Sequence, residues 1–141
     1  MSSTAPLASA NAPQDAAFAA HRCPQGAAAV LFPHEQLDVH RVLVAAYQAV
    51  MSWPGVAFSR GSTGDQLKRA LGSALCRYAE GYYAQGGNQS SLLQSARASC
   101  GEAATAALVL GLERRVGATQ LAELRQLLGR AMCMLWRLSR R

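Results

Sequence analysis

The sequence predicts an all-α protein, an antiparallel up-down-up-down four-helix bundle preceded by a disordered N-terminal arm. Three observations predict it. The 141 residues suit one domain, and with residues 1–33 set aside roughly 108 remain, enough for four helices of about five or six turns. Half of the residues are apolar, mostly Ala, Leu and Val, with only three Phe and two Trp; this favours closely packed helices over a broad aromatic cleft. In successive segments, apolar residues recur at spacings of three and four, the repeat of one helical face.

Residues 1–33 form the expected arm. They are rich in Ala, Ser, Pro and Gln, and Pro6, Pro13, Pro24 and Gly26 interrupt any hydrophobic period. Alanine favours a short helix around Asp15 to His21. The bundle domain follows over residues 34–141. Its first helix is expected over 35–53, with Pro33 near an early helical position and Val39, Leu43, Ala46, Val50 and Trp53 as its core stripe; Pro54 and Gly55 stop it.

Ser62 and Asp65 have the spacing of a capping box for a second helix over 64–84. Its inner face carries Leu67, Leu71, Ala74, Tyr78 and Gly81, Asp65 and Arg69 can pair across one turn, and Gly86, Gly87 and Asn88 end it. A third helix over 90–115 presents Leu93, Ala96, Cys100, Ala103, Ala107 and Leu110, mostly small side chains that let a neighbour approach closely; Gly117 is the expected terminator. Thr119 is the expected cap of a fourth helix over 119–139. Its stripe is Leu121, Leu124, Leu128, Ala131, Leu135 and Leu138. Met132, Met134 and Trp136 add apolar surface beyond it, which implies an enlarged core or a subunit contact.

The charge is uneven. Of fourteen basic residues, thirteen are Arg, and residues 114–141 hold seven of them against the single Glu123. A positive field concentrated late in the chain suits an acidic partner, nucleic acid first and a carboxylate-rich protein second; a merely solubilising surface is the plain alternative. Cys23, Cys76, Cys100 and Cys133 fall one per segment with no close pair, so neither a zinc knuckle nor a disulfide scaffold is suggested. The last three are expected to fill core gaps as thiols. No secretory signal is legible, and the longest apolar run, 103–112, is too short for a bilayer. A soluble cytoplasmic protein is expected.

With the helices placed, the segment from Gln66 to Glu102 carries several family fragments. Gln66, Leu67, Lys68, Arg69 and Ala70 open the second helix; Ser73 is followed seven residues later by Glu80 within Ala79-Glu80-Gly81; and Ala96 to Glu102 reads A-x-A-S-x-x-E. In this order and spacing the chain resembles the four-helix bundle family of the 23S ribosomal RNA intervening-sequence protein, which includes the accessory variability proteins of diversity-generating retroelements. The resemblance covers about residues 34–139. It departs at Arg77, where the family has Asn, at Tyr78 in an Ile place, and at Ala98, where the family has Gly. The resemblance implies a homo-oligomer, a ring-like pentamer, with no enzymatic chemistry and no cofactor. Through the retroelement relatives it also implies binding to RNA or DNA, and a reverse transcriptase as partner. Fold alone does not transfer function.

Arg125, Arg130, Arg137, Arg140 and Arg141, with Arg114 and Arg115, are the candidate nucleic-acid-binding residues, because guanidinium groups keep their charge and present a fork of donors to phosphate. With no exposed aromatics expected among them, binding should be backbone-directed and salt-sensitive. Arg69, Ser73, Glu80, Ser99 and Glu102 recur in the family pattern and are expected to be structural, the acids pairing with Arg69, Arg77 or Arg97 or accepting backbone and hydroxyl hydrogen bonds near helix ends, and the serines packing as small polar residues. A di-metal bundle would add Glu-x-x-His pairs, yet all three His precede residue 41. His21, Cys23, His34 and His40 match no ligand spacing, and His34 and His40, six apart, are expected on different sides of a helix. No metal and no catalytic residue is expected. Tyr82 and Tyr83 are expected to cover the bundle's end or to enter an interface.

Overall fold

Four α-helices and one 3-10 turn make up the secondary structure of residues 31–141, the residues that the computed structural model describes. The turn is Pro33–Gln36, and the helices are α1 (Asp38–Met51), α2 (Thr63–Tyr83), α3 (Gly86–Leu112) and α4 (Ala118–Leu138). The expected arm, its short helix, His21 and Cys23 fall on residues 1–30 and so lie outside the described residues. No helix among the described residues is long and apolar enough to cross a membrane.

Each helix packs on its chain neighbours, and α4 closes the ring against α1. Every adjacent pair runs antiparallel. Tyr78, late in α2, donates to the backbone carbonyl of His34 just before α1 (2.7 Å). Ser90, early in α3, donates to the carbonyl of Ser139 just past α4 (2.9 Å). Short connections make such neighbours antiparallel, which is the up-down-up-down bundle. The core is the set of stripes turned inward: Leu43, Leu67, Leu71, Tyr78, Leu124, Leu128 and Leu135 are fully buried. The α2–α3 contact is the most extensive, because Ala74, Ala96, Ala103 and Gly81 put little side chain between the two backbones.

Several boundaries differ from those expected. The first helix is broken at Leu37, whose extended backbone (φ −81°, ψ 146°) separates the 3-10 turn from α1. The Glu35 carboxylate accepts from the Phe32 N–H (2.6 Å) and caps the turn locally. Trp53 lies beyond α1 but is still buried, at 7% exposure. The capping box of α2 is displaced by one residue: Ser62 Oγ accepts from the Asp65 N–H, while the Asp65 carboxylate accepts from Gly61 rather than Ser62 (both 3.1 Å). Gly86 (φ 59°) starts α3 instead of ending α2, so only Ala84 and Gln85 link the two.

The end of α3 is set by an arginine. Arg114 has φ 58°, and its N–H reaches the carbonyl of Gly111 (3.0 Å) while the Arg115 N–H reaches Leu110 (2.9 Å). These two bonds are a Schellman motif with a non-glycine residue in the left-handed position. Gly117, expected to end α3, instead caps α4, its N–H donating to the Gln120 side chain (3.0 Å); Thr119 lies inside the first turn. Leu121 and Leu138 pack at the edge of the core, not within it. Of the thiols, Cys100 alone among the described residues is buried, and burial pushes it up to about 12; Cys76 and Cys133 are exposed.

Candidate nucleic-acid interface

With Leu124, Leu128, Ala131 and Leu135 turned to the core, the helical repeat leaves α4 two outer flanks. Arg125, Met132, Trp136 and Arg140, spaced seven, four and four, follow the flank beside α3. Arg137 and Arg141, with Met134, lie toward the start of α1, where they border a hollow with Leu37 and Asp38. Arg130 is exposed on the outer face.

The α3 bank opposite presents Gln94, Arg97, Ala98, Gly101, Ala104 and Leu108. Between the banks runs a groove of three joined hollows. Gln94, Arg97, Trp136 and Arg140 enclose the first (about 520 Å³), and Arg97, Gly129, Cys133, Trp136 and Arg137 the second (about 450 Å³). Arg125 and Thr105 border the third (about 250 Å³), nearer the far end of α3. The floor is low because it is built from small residues: a Cβ added at Gly101 or Gly129 would meet nothing within 4 Å.

Trp136 corrects the expectation that no exposed aromatic accompanies the arginines. Its ring is 43% exposed, with the Arg140 guanidinium stacked 4.7 Å from the ring centre, a cation–π contact worth about 0.5–1 kcal/mol at an exposed site. Indole thus sits among Arg97, Arg137 and Arg140. The sequence signal was available in the four-residue spacing of Trp136 and Arg140, but the α3 partner was not.

The other candidates are dispersed. Arg114 and Arg115 lie at the α3–α4 turn, separated from Arg140 by nearly the length of α4, roughly 30 Å at 1.5 Å per residue. Arg115 borders a small hollow with the loop before α2. Within α2, Arg69 pairs with the half-buried Asp65 (3.6 Å) and Arg77 with the exposed Glu80 (3.2 Å), and Arg41 pairs with Asp38 (3.2 Å). Such pairs contribute little stability. Among the described residues no carboxylate lies within ion-pair distance of Arg97, Arg125, Arg130, Arg137 or Arg140, and Glu102 is exposed with no cationic partner. Ser73 and Ser99 share a hydrogen bond (3.1 Å) between α2 and α3. Glu80 stands on α2 and Glu102 on α3, and among the described residues no three metal-ligating side chains converge.

A separate aromatic cluster closes the end of the bundle where the 3-10 turn meets α2. The break at Leu37 brings His34 and His40 together, with ring centres 5.4 Å apart, where an unbroken helix would have parted them. Tyr83 and His34 Nδ1 share a hydrogen bond (3.1 Å), and Tyr82 packs edge-on to Tyr83 (5.1 Å). Burial, then the neighbouring His34, lowers the His40 pKa against a smaller opposing effect of Glu35. Tyr78, fully buried beneath them, is pushed up to about 12 by burial first and by Tyr82 and Tyr83 second. Tyr82 and Tyr83 therefore lie at the bundle end, where Tyr83 remains 57% exposed.

No protein-family model matches the chain, and no curated protein matches it.

Proposed function

We propose that the protein is a non-enzymatic, oligomeric nucleic-acid-binding accessory or adaptor of the cytoplasm that engages its ligand through the arginine surface of α4. The observation that carries this reading is that Arg125, Arg130, Arg137 and Arg140 stand exposed around the outer side of α4, with Arg97 across the groove, none of them held by a carboxylate among the described residues. A polyanion is the partner whose repeated charge suits such a surface. The resemblance to the intervening-sequence protein family points the same way and adds a homopentamer, with a reverse transcriptase as partner in a retroelement setting. Leu108, Val109 and Leu112, exposed together on one turn of α3, support a subunit contact. The same apolar group favours a second reading, a protein-interaction module without direct nucleic-acid binding.

Fluorescence anisotropy with duplex DNA and structured RNA across a salt series, with mass measured in the same buffers, separates the two readings. Four phosphate contacts imply a slope near −3.6, a loss of roughly a hundredfold in affinity between about 50 and 200 mM salt. Charge reversal of Arg125, Arg130 and Arg137 should abolish binding while the mass is unchanged. A folded oligomer that binds neither ligand at low salt refutes the nucleic-acid reading and leaves the protein-interaction one.

A further inference from the structure

We infer that the Trp136 groove seats unstacked bases, so that the ligand class is single-stranded nucleic acid or looped RNA rather than duplex. This rests on the nucleic-acid reading above and narrows it. Trp136 stands between the first two hollows, which share Arg97 and Met132 as well as the indole. Arg140 borders the first hollow and not the second, so the guanidinium stacked on the ring does not line the second. That second hollow is almost wholly apolar at its base, formed by Gly129, Met132 and Cys133, with Arg97 and Arg137 at its edges. An apolar slot with an aromatic wall and cationic rims matches a base with its phosphates on either side.

Stacking on the indole discriminates against the duplex. An indole stacks only on a base face that is free, and the base faces of a duplex are already stacked on one another. The missing Cβ atoms of Gly101 and Gly129 keep the floor open for a base. Charge and the aromatic wall together select the occupant: residues 118–141 carry five Arg and one Glu, which disfavours a basic or neutral apolar peptide, and the exposed indole suits a base better than a carboxylate side chain. Stacking is indifferent to base identity because every base has a π-face, so affinity should follow strandedness more than sequence.

Indole emission provides the test. Of the two tryptophans, Trp53 is buried and Trp136 exposed, so quenching by an added oligonucleotide reports on the groove. The full chain is titrated with a single-stranded oligo-dT and with a duplex of equal length, alongside Trp136→Ala and Trp136→Phe. The expected result is quenching by oligo-dT, a preference for the single strand, and a loss of roughly ten- to a hundredfold for Trp136→Ala toward oligo-dT only. Trp136→Phe should retain most of the affinity, and mass and far-ultraviolet circular dichroism show that both variants fold. Equal binding of both ligands with no effect of Trp136→Ala overturns the inference but leaves the nucleic-acid reading standing. Failure of both ligands to bind at low salt overturns that reading and the inference with it. Emission unmoved by a bound oligonucleotide, with the indole shielded from acrylamide in the oligomer, means that a second copy covers the groove and also overturns the inference.

Discussion

Replacing Arg114 by glycine should stabilise the protein, although it deletes a charged side chain from a helix end. Arg114 holds φ 58° while its N–H and that of Arg115 close the Schellman motif. A residue with a Cβ pays about 1–2 kcal/mol for the left-handed region, which glycine avoids. Glycine loses about 0.4–1 kcal/mol more in backbone entropy on folding. The difference is a net gain of about 1 kcal/mol. Arg114→Ala removes the same charge and keeps the strained conformation, so the glycine–alanine comparison isolates the backbone contribution. For a folded unit of this size 1 kcal/mol corresponds to about 3–6 °C in Tm. Thermal and urea denaturation of the two variants side by side provide the measurement, with unchanged m-values as the check on two-state behaviour. Arg114→Gly no more stable than Arg114→Ala would refute the assignment of the left-handed residue, and with it the placement of the end of α3.

Two further predictions concern packing and ionisation. A Cβ at Gly64 would run into the Ala57 carbonyl and approach Val56 Cγ1 at 2.9 Å, whereas one at Gly72 meets nothing. Gly64→Ala should therefore cost about 1–2 kcal/mol, overpacking outweighing helix propensity, while Gly72→Ala gains about 0.5–1 kcal/mol; urea midpoints moving in the same direction for both would contradict the packing. Tyr78→Phe removes the hydroxyl that donates to His34 and should cost about 1 kcal/mol near neutral pH. The Tyr78 pKa is raised to about 12, so its contribution is fully present below the ordinary value near 10. Above that value the unfolded chain ionises first, and the contribution declines as pH rises toward 12. The stability gap between the native protein and Tyr78→Phe should shrink or reverse between about pH 8 and pH 11; a constant gap would show that the buried hydroxyl does not resist ionisation.

The bundle itself was legible in the sequence because its cause is local. Leu67, Leu71, Ala74 and Tyr78, or Leu124, Leu128, Ala131 and Leu135, repeat at the helical period, and a stripe of that kind must turn to a core whatever packs on it. The small residues of α3 likewise announced a close neighbour. Ends were less legible, since a cap is decided by one residue's φ: Gly117 had the composition of a terminator, yet Arg114 took the left-handed position, and the break at Leu37 has no glycine or proline of its own.

The candidate site divides in the same way. Sequence alone determined that positive charge accumulates on the last helix and that Met132 and Trp136 exceed what its core stripe requires. Only the tertiary structure decided which arginines stand together. Arg97 and Trp136 are 39 residues apart in the chain and meet because α3 and α4 pack antiparallel, whereas Arg114 and Arg140, on consecutive parts of the chain, end at opposite ends of α4. His34 and His40 became neighbours through one extended residue. Periodicity fixes the face a side chain occupies on its own helix; the partner across that face follows from how the helices pack, a long-range choice that no local spacing records.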